Sequence, residues 1–166
     1  ILSGIDGSII ADFFGIDDIN FRGGARASIA DVNGDGVLDL IVTAGFSGGP
    51  RVAVFDGKSL ASGSPVRLVN DFFAFEETLR DGVYVSAGDV NGDGRADLVF
   101  GGGPTGGPRI LIISGDKLLT QGSRDAIASP LGNFFVGDPT ERTGIQVVVK
   151  DLDGDPLADV VAAGSS

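Results

Sequence analysis

The sequence predicts an all-β fold built from repeated units of four antiparallel strands. A nine-residue motif that begins and ends with Asp occurs at residues 31–39, 89–97 and 151–159, so the offsets are 58 and 62 residues. Pairs of adjacent phenylalanines recur with nearly the same period, at residues 13–14, 72–73 and 134–135. Sequence periods of this length are typical of stacked or radial arrays of structural units.

Apolar runs predict the strands of each repeat. The runs are short, rich in Val, Ile, Leu and Phe, and bounded by Gly, Pro, Asn and Asp, which is typical of β-strands. The first complete repeat predicts strands at residues 25–31, 39–44, 51–55 and 68–75, and the second at residues 83–89, 97–100, 109–114 and 131–136. The last repeat predicts strands at residues 144–152 and 159–162, and the first residues predict the end of a third strand at 1–4 and a fourth strand at 9–14. Only residues 117–120 suggest a helical turn.

Four antiparallel strands in a repeat describe one blade of a β-propeller. We therefore expect a single propeller-type domain with about three blades per chain, one of them split between the two ends of the sequence. Residues 1–22 would form the second half of the split blade, residues 23–81 and 82–143 the complete blades, and residues 144–166 the first half. Because a closed ring needs about four to eight blades, the chain would either form a six-bladed homodimer or belong to a longer propeller.

The charge and the missing residue types exclude several classes of function. The 166 residues include 12 Lys and Arg against 23 Asp and Glu, and the resulting charge of −11 disfavours nucleic acid as a partner. His and Cys are both absent, which excludes imidazole bases, thiolate nucleophiles and zinc sites built on these ligands. The apolar runs are too short to span a membrane, so no membrane insertion is expected.

The Asp-rich motifs have the ligand spacing of calcium-binding loops. Each places oxygen-bearing side chains at positions 1, 3, 5 and 9, with Gly at position 4. Ca²⁺ takes about six to eight oxygen ligands, and a backbone carbonyl at position 7 can supply one. We predict about three Ca²⁺ per chain, held by Asp31, Asn33, Asp35, Asp39 and the carbonyl of Val37; by Asp89, Asn91, Asp93, Asp97 and the carbonyl of Arg95; and by Asp151, Asp153, Asp155, Asp159 and the carbonyl of Leu157.

Two other interpretations of these motifs explain the sequence less well than calcium-binding propeller loops. An EF-hand is excluded because position 12 is Val42, Phe100 or Ala162 instead of Glu, and because strands flank the motifs. Simple turn formation explains Asp, Asn and Gly, but it does not require four spaced oxygen ligands in three copies. The third loop differs from the others in two ways, since Pro156 replaces the Gly of position 6 and Asp153 adds a charge.

The combined pattern resembles FG-GAP repeats over essentially the whole chain. Each Asp-rich loop is preceded by a predicted strand and followed by a second one, and the first two are also followed by a Gly-Gly-Pro-Arg turn, at residues 48–51 and 106–109. FG-GAP repeats are the blades of integrin-α-type propellers and of many secreted bacterial proteins. The resemblance implies structural Ca²⁺ between the first two strands of a blade. It also implies an extracellular or cell-surface role in adhesion, recognition or scaffolding, with a protein or carbohydrate ligand.

Two further possibilities stay open from the sequence. One is a carbohydrate-active propeller lyase or hydrolase that uses carboxylates outside the loops, although we expect no enzyme because the loops already use most clustered Asp residues. The other is a fragment of a larger propeller without a function of its own. An acid and an Arg also recur four residues apart, at residues 18 and 22, 76 and 80, and 138 and 142. These are expected to form ion pairs between blades or to brace loops, or alternatively to bind an anionic or sugar ligand on one face.

Overall fold

The computed structural model describes residues 1–164 and is mostly β, with 32% of residues in strands and 11% in helices. The strands are β1 (Ala25–Ala30), β2 (Asp39–Ala44), β3 (Arg51–Phe55), β4 (Phe72–Phe73), β5 (Val83–Gly88), β6 (Asp97–Gly102), β7 (Arg109–Ile113), β8 (Gly132–Phe135), β9 (Gln146–Lys150) and β10 (Asp159–Ala163). The helices are α1 (Gly57–Ala61), α2 (Gly115–Gln121) and α3 (Ser123–Ala128). None of the helices within residues 1–164 is long and apolar enough to cross a lipid bilayer. The last two residues of the predicted half-blade 144–166 lie outside the described residues.

Two four-stranded antiparallel sheets form, in the order β1-β2-β3-β4 and β5-β6-β7-β8, and β9 pairs with β10. The prediction of four antiparallel strands in each complete repeat is therefore confirmed. Apart from the fourth strand of the first repeat, the strand ends in these three sheets lie within two residues of their predicted positions. In each sheet the last residue of the first strand pairs with the ninth residue of the Asp-rich motif: Ala30 with Asp39, Gly88 with Asp97, and Lys150 with Asp159.

The fourth strand of the first repeat is much shorter than predicted. Instead of residues 68–75, only Phe72–Phe73 pairs with β3 as a strand, and the chain bends at residues 68 and 69. The bend places the carboxylate of Asp71 against two guanidinium groups, at 2.7 Å from Arg51 and 2.5 Å from Arg67. Before the bend, Arg67 forms an isolated bridge with Phe55 and Leu68 donates to the carbonyl of Val54, so the segment contacts β3 on both sides of the bend without forming one continuous strand.

The predicted fourth strand at residues 9–14 is wrong. Residues 1–11 form a hairpin with a single bridge between Leu2 and Ile9, and Ala11 and Ile16 are buried beyond it. The ring of Phe13 contacts that of Phe55 edge-on, with 5.0 Å between centroids. Packing against the first sheet therefore holds this segment, without strand pairing along its length.

Helices α1 and α2 occupy the same place in the two repeats, directly after the third strand. Their first turns are capped by side chains, because Asp56 accepts the N–H of Ser59 at 2.7 Å and Ser114 accepts that of Lys117 at 3.2 Å. The sequence predicted only a helical turn at residues 117–120, so α1, α3 and the full length of α2 were missed.

The sheets stack face to face, and the second and third strands of the two complete sheets are consequently buried on both sides. The first strands β1, β5 and β9 lie side by side in that order. On β2, fully buried Ile41 belongs to the core between the first and second sheets, whereas Val42 packs with Ile16 of the N-terminal segment. On the far side of the second sheet, Val99 packs with Ile145.

The connections between strands separate into two groups. Because neighbouring strands are antiparallel, the three Asp-rich loops lie at one end of the sheets, together with the starts of α1 and α2. We call this the loop end; it comprises residues 31–38, 89–96 and 151–158. The opposite turn end comprises the connections at residues 45–50, 74–82, 103–108 and 136–145.

Candidate metal centre

Backbone hydrogen bonds within the first two Asp-rich loops hold the carboxylate at position 1. Asp31 and Asp89 each accept the N–H groups of the glycines at positions 4 and 6, at 2.7–2.8 Å. These glycines have φ between +74° and +83°, a conformation that strains other residues: Gly34, Gly36, Gly92 and Gly94. The glycines of the motif therefore wrap the backbone around its first carboxylate.

Side chains at positions 3 and 5 are held in the same way in all three loops. Each oxygen accepts the backbone N–H two residues further along, at 2.7–3.1 Å, which is the geometry of Asx turns. The residues held are Asn33, Asp35, Asn91, Asp93, Asp153 and Asp155. The donors at position 7 are Val37, Arg95 and Leu157. Three predicted ligand positions in every loop thus belong to one ordered turn.

Position 9 connects each complete loop to the helix that follows the third strand. Fully buried Asp39 accepts the N–H groups of Val32 at 2.9 Å, Asn33 at 3.2 Å and Gly57 at 2.8 Å. Burial raises the pKa of Asp39, although these three N–H groups oppose the rise. The carboxylate therefore spans the loop and the first residue of α1.

The second loop repeats this arrangement around Asp97. Its carboxylate is fully buried and accepts the N–H groups of Val90 and Gly115, each at 3.1 Å. Burial raises the pKa of Asp97 to about 6, and the nearby charges of Asp93 and Asp89 add to the effect. A positive ion in this loop would remove much of that electrostatic cost.

Glycine is required at the point where α1 and α2 meet the loops. A Cβ atom on Gly57 would lie 2.2 Å from the carbonyl oxygen of Leu38, and one on Gly115 would lie 2.1 Å from that of Ala96. These distances are far below van der Waals contact, so the N–H groups reach Asp39 and Asp97 only because no side chain intervenes. Sequence reasoning missed both glycines, although their spacing of 58 residues matches the repeat.

The third loop takes the same turn but lacks one of its hydrogen bonds. Asp151 accepts the N–H of Gly154 at 2.7 Å, whereas Pro156 at position 6 has no N–H to donate. Carboxylate oxygens of Asp151, Asp153 and Asp159 lie within 4.8 Å of one another. This loop therefore brings three negative charges together at a mostly exposed site.

Lys58 distinguishes the first loop from the second. Its Nζ lies 2.9 Å from Oδ2 of Asp35, and this bond lowers the pKa of Asp35 and raises that of Lys58. The second repeat has Asp116 at the equivalent position, and there Arg95 turns away from its loop to pair with Asp116 at 2.9 Å. The first loop thus has an ammonium group beside one predicted ligand.

The donor set of the loops fits a hard divalent cation. All predicted ligands are oxygens, as Ca²⁺ prefers, and the chain has no His or Cys that would favour a softer metal. The three loops contain ten of the 23 acidic residues. The side-chain oxygens of each loop belong to one compact turn, and in the third loop three carboxylates converge.

At the turn end, the repeated arginines brace their own loops. Arg22, Arg80 and Arg142 donate to backbone carbonyls within the three preceding residues, as expected for loop bracing. Of the acids in this pattern, Glu76 forms an ion pair between repeats, with Arg109 and not with Arg80. Arg51 and Arg109 do bind carboxylates, those of Asp71 and Glu76, each at 2.7 Å.

Comparison with known proteins agrees with the resemblance seen in the motifs. The family model described as FG-GAP-like repeat matches residues 31–100, from the first Asp-rich loop into β6. This part of the chain therefore carries an FG-GAP-like repeat. No curated protein gives a significant match. The repeat and the antiparallel sheets indicate a module of the β-propeller type, and such repeats are typical of extracellular proteins.

Proposed function

We propose that this chain is a calcium-binding FG-GAP-like β-propeller module that serves extracellular recognition, adhesion or scaffolding. The observation that carries the proposal is the convergence of three carboxylates within 4.8 Å in a loop whose frame recurs in both complete repeats. Like charges at this separation repel one another unless a cation is present. We propose a binding role and not a catalytic one, because the clustered carboxylates serve the loops.

Bound Ca²⁺ would supply positive charge that offsets the repulsion among the carboxylates. The chain's own residues shape each loop and attach it to the sheet. Asp31 and Asp89 hold the turn, while Asp39 and Asp97 connect it to α1 and α2. The proposed ligands are the fifteen groups named from the sequence, and three ions would change the formal charge from −11 to −5. Calcium would thus brace each loop against the sheet.

A ring larger than one chain is the second part of this proposal. Ile41 and Val99 face the following sheet and are fully buried, whereas Val161 at the equivalent position of β10 is 43% exposed. Val148 on the paired strand is 57% exposed. We propose that a second copy, or further blades of a longer propeller, covers this face in a closed ring.

An extracellular setting suits such loops. Calcium sites of extracellular modules bind at about 0.1–1 mM, in the range of calcium outside cells. The absence of Cys is compatible with export from bacteria, where the fold would depend on calcium and packing instead of disulfides.

Thermal unfolding with calcium or with EDTA tests the metal sites. We expect a higher Tm in calcium, and we expect Asp93→Ala and Asp35→Ala to reduce this difference. Asp17→Ala is the matched control, because Asp17 is an exposed acid outside the loops. Identical melting of the parent chain in calcium and in EDTA would contradict structural calcium.

Native mass spectrometry in calcium tests ion count and assembly together. A mass of two chains with about six Ca²⁺ would support a homodimeric ring. One chain with about three ions would support the loops but not the homodimer. Absence of bound ions would leave the loops as simple turns.

A further inference from the structure

A cleft of about 550 Å³ opens at the turn end, opposite the Asp-rich loops. Three connections form it, at residues 75–80, 102–109 and 135–142. Its walls include three arginines and a single acid: Arg80, Arg109, Arg142 and Glu76. In a chain with a formal charge of −11, this lining carries a net positive charge of two.

Two of these arginines are held in place and still have unused hydrogen-bond donors. Arg80 and Arg142 each use Nη1 on backbone carbonyls, at 3.0 Å from Leu79 and 2.9 Å from Pro139. Their Nε and Nη2 groups have no hydrogen-bond partner among residues 1–164. Guanidinium groups with a fixed orientation and unused N–H donors are suited to bidentate binding of a carboxylate.

Arg109 adds a third guanidinium that is only partly neutralised. It donates from Nε to Asn133 at 2.9 Å and from Nη1 to Glu76 at 2.7 Å, and it lies 5.4 Å above the ring of Phe75. Nη2 has no partner within the described residues. The one acid of the cleft therefore balances one of three positive charges.

An equivalent cleft one repeat earlier serves as an internal comparison. It measures about 390 Å³ and contains two arginines and two acids: Arg51, Arg80, Asp18 and Glu77. Its charges cancel, and Arg51 is further bound to Asp71.

Two differences between the repeats account for the difference in charge. Pro139 lines the later cleft where the earlier repeat has Glu77, and Arg22, the counterpart of Arg80, does not line the earlier cleft. The fold therefore builds both clefts, and only the later one is cationic.

The remaining walls define the ligand more closely. Phe75, Phe135, Leu79 and Pro139 supply apolar surface, and Phe135 is 47% exposed. The hydroxyl of Thr78 has no hydrogen-bond partner in residues 1–164 and offers a polar group beside the arginines. A ligand with a carboxylate, an apolar ring face and hydroxyl groups matches this combination. The acidic character of the whole chain repels long polyanions and favours a small ligand.

We propose that this cleft binds the carboxylate of an acidic sugar, a hexuronate residue. The volume suits a small ligand. The arginines hold the carboxylate, exposed Phe135 packs against the ring, and Thr78 contacts a hydroxyl. The inference rests on the proposed recognition role but not on calcium, because the cleft and the Asp-rich loops lie at opposite ends of the sheets.

Calorimetric titration of the intact chain in calcium tests the proposal, with D-glucuronate as the probe and D-glucose as the uncharged analogue. We expect glucuronate to bind and glucose not to bind. Arg142→Gln and Pro139→Glu should each weaken glucuronate about tenfold or more, since each removes or opposes a charge-assisted hydrogen bond. Pro139 is exposed, and Pro139→Glu places a glutamate where the earlier, neutral cleft has Glu77.

Arg22→Gln is the matched control. Arg22 makes the same contacts with backbone carbonyls in the first repeat, at 2.6 and 2.9 Å, but lies outside the cationic cleft. Affinity should be unchanged in this variant. Any of three results would overturn the proposal. Glucose could bind as tightly as glucuronate, the three variants could lose glucuronate affinity equally, or glucuronate could fail to bind at millimolar concentration.

Further results distinguish a sugar ligand from a peptide ligand, and the cleft from the calcium sites. Tighter binding of N-acetylphenylalaninate than of glucuronate would overturn the sugar assignment in favour of a peptide carboxylate. Calcium-dependent stability without glucuronate binding would refute the cleft alone. Glucuronate binding without calcium-dependent stability would support the cleft and refute the calcium sites.

Discussion

The carboxylate of Asp39 accepts a hydrogen bond of 2.8 Å from the backbone N–H of Gly57. Asp39 ends an Asp-rich loop, and Gly57 is the first residue of α1. Asp97 and Gly115 repeat this bond at 3.1 Å in the next repeat. The ninth residue of each complete loop therefore connects the loop to the helix that follows the third strand of its sheet.

Asp39→Ala should destabilise the chain even without calcium. The substitution leaves the buried N–H groups of Val32 and Gly57, and the partly buried one of Asn33, without their acceptor, which costs about 3 kcal/mol or more. Urea unfolding in EDTA measures this loss. Asp17→Ala is the control, because Asp17 is an exposed acid outside the loops. Equal stability of the two variants in EDTA would contradict the assigned role of Asp39.

Gly57→Ala should destabilise the first repeat by about 1–3 kcal/mol, the usual cost of forcing a methyl group into a packed site. The new Cβ would lie 2.2 Å from the carbonyl oxygen of Leu38 and would push α1 away from Asp39. Calorimetric unfolding measures the change. Gly4→Ala is the matched control, since nothing lies within 4 Å of a Cβ there. A Tm equal to that of the control would argue against a close approach at this junction.

Asp153→Asn should stabilise the chain without metal and weaken calcium binding. It removes one of three carboxylates whose oxygens lie within 4.8 Å, so repulsion falls in EDTA. Calcium affinity of the third loop should fall by roughly tenfold, because ligand charge sets affinity. Calcium titrations followed by Tm measure both effects. Asn91→Asp makes the reverse change in the second loop, and the same sign in both variants would contradict this explanation.

Glu76→Gln should remove a small pH-dependent stabilisation. Its own backbone N–H and the Arg109 guanidinium hold the pKa of Glu76 below its usual value of 4.5. A carboxyl with a lowered pKa stabilises the fold above its unfolded pKa, and this contribution is lost as pH falls through the folded pKa. Because the side chain is 67% exposed, we expect about 0.5 kcal/mol or less at pH 7. Parent and variant should converge in acid unfolding below pH 4.5, and a difference that grows there would have the wrong sign.

Apolar runs in the sequence predicted most strands within two residues, and the runs are clearest in the second and third strands of each complete repeat, which are buried on both faces. The same reasoning failed at residues 68–75, where Asp71 pairs with Arg51 and Arg67 across the bend. It also missed α1, although Asp56 was visible as a capping residue after β3. After β3, helix capping by Asp56 competes with continued strand formation, and packing of the segment against the sheet decides between helix and strand.

The sequence by itself determined the repeat, the Asp-rich loops and the residues proposed to bind calcium. These features are local, since the hydrogen bonds that shape each turn join residues only two to five apart. Only the tertiary structure decided that Lys58 lies beside Asp35, and that Arg109 reaches Glu76 from 33 residues away. The charge of the cleft at the turn end depends on such distant partners. Side chains from different repeats meet there only after the sheets have stacked.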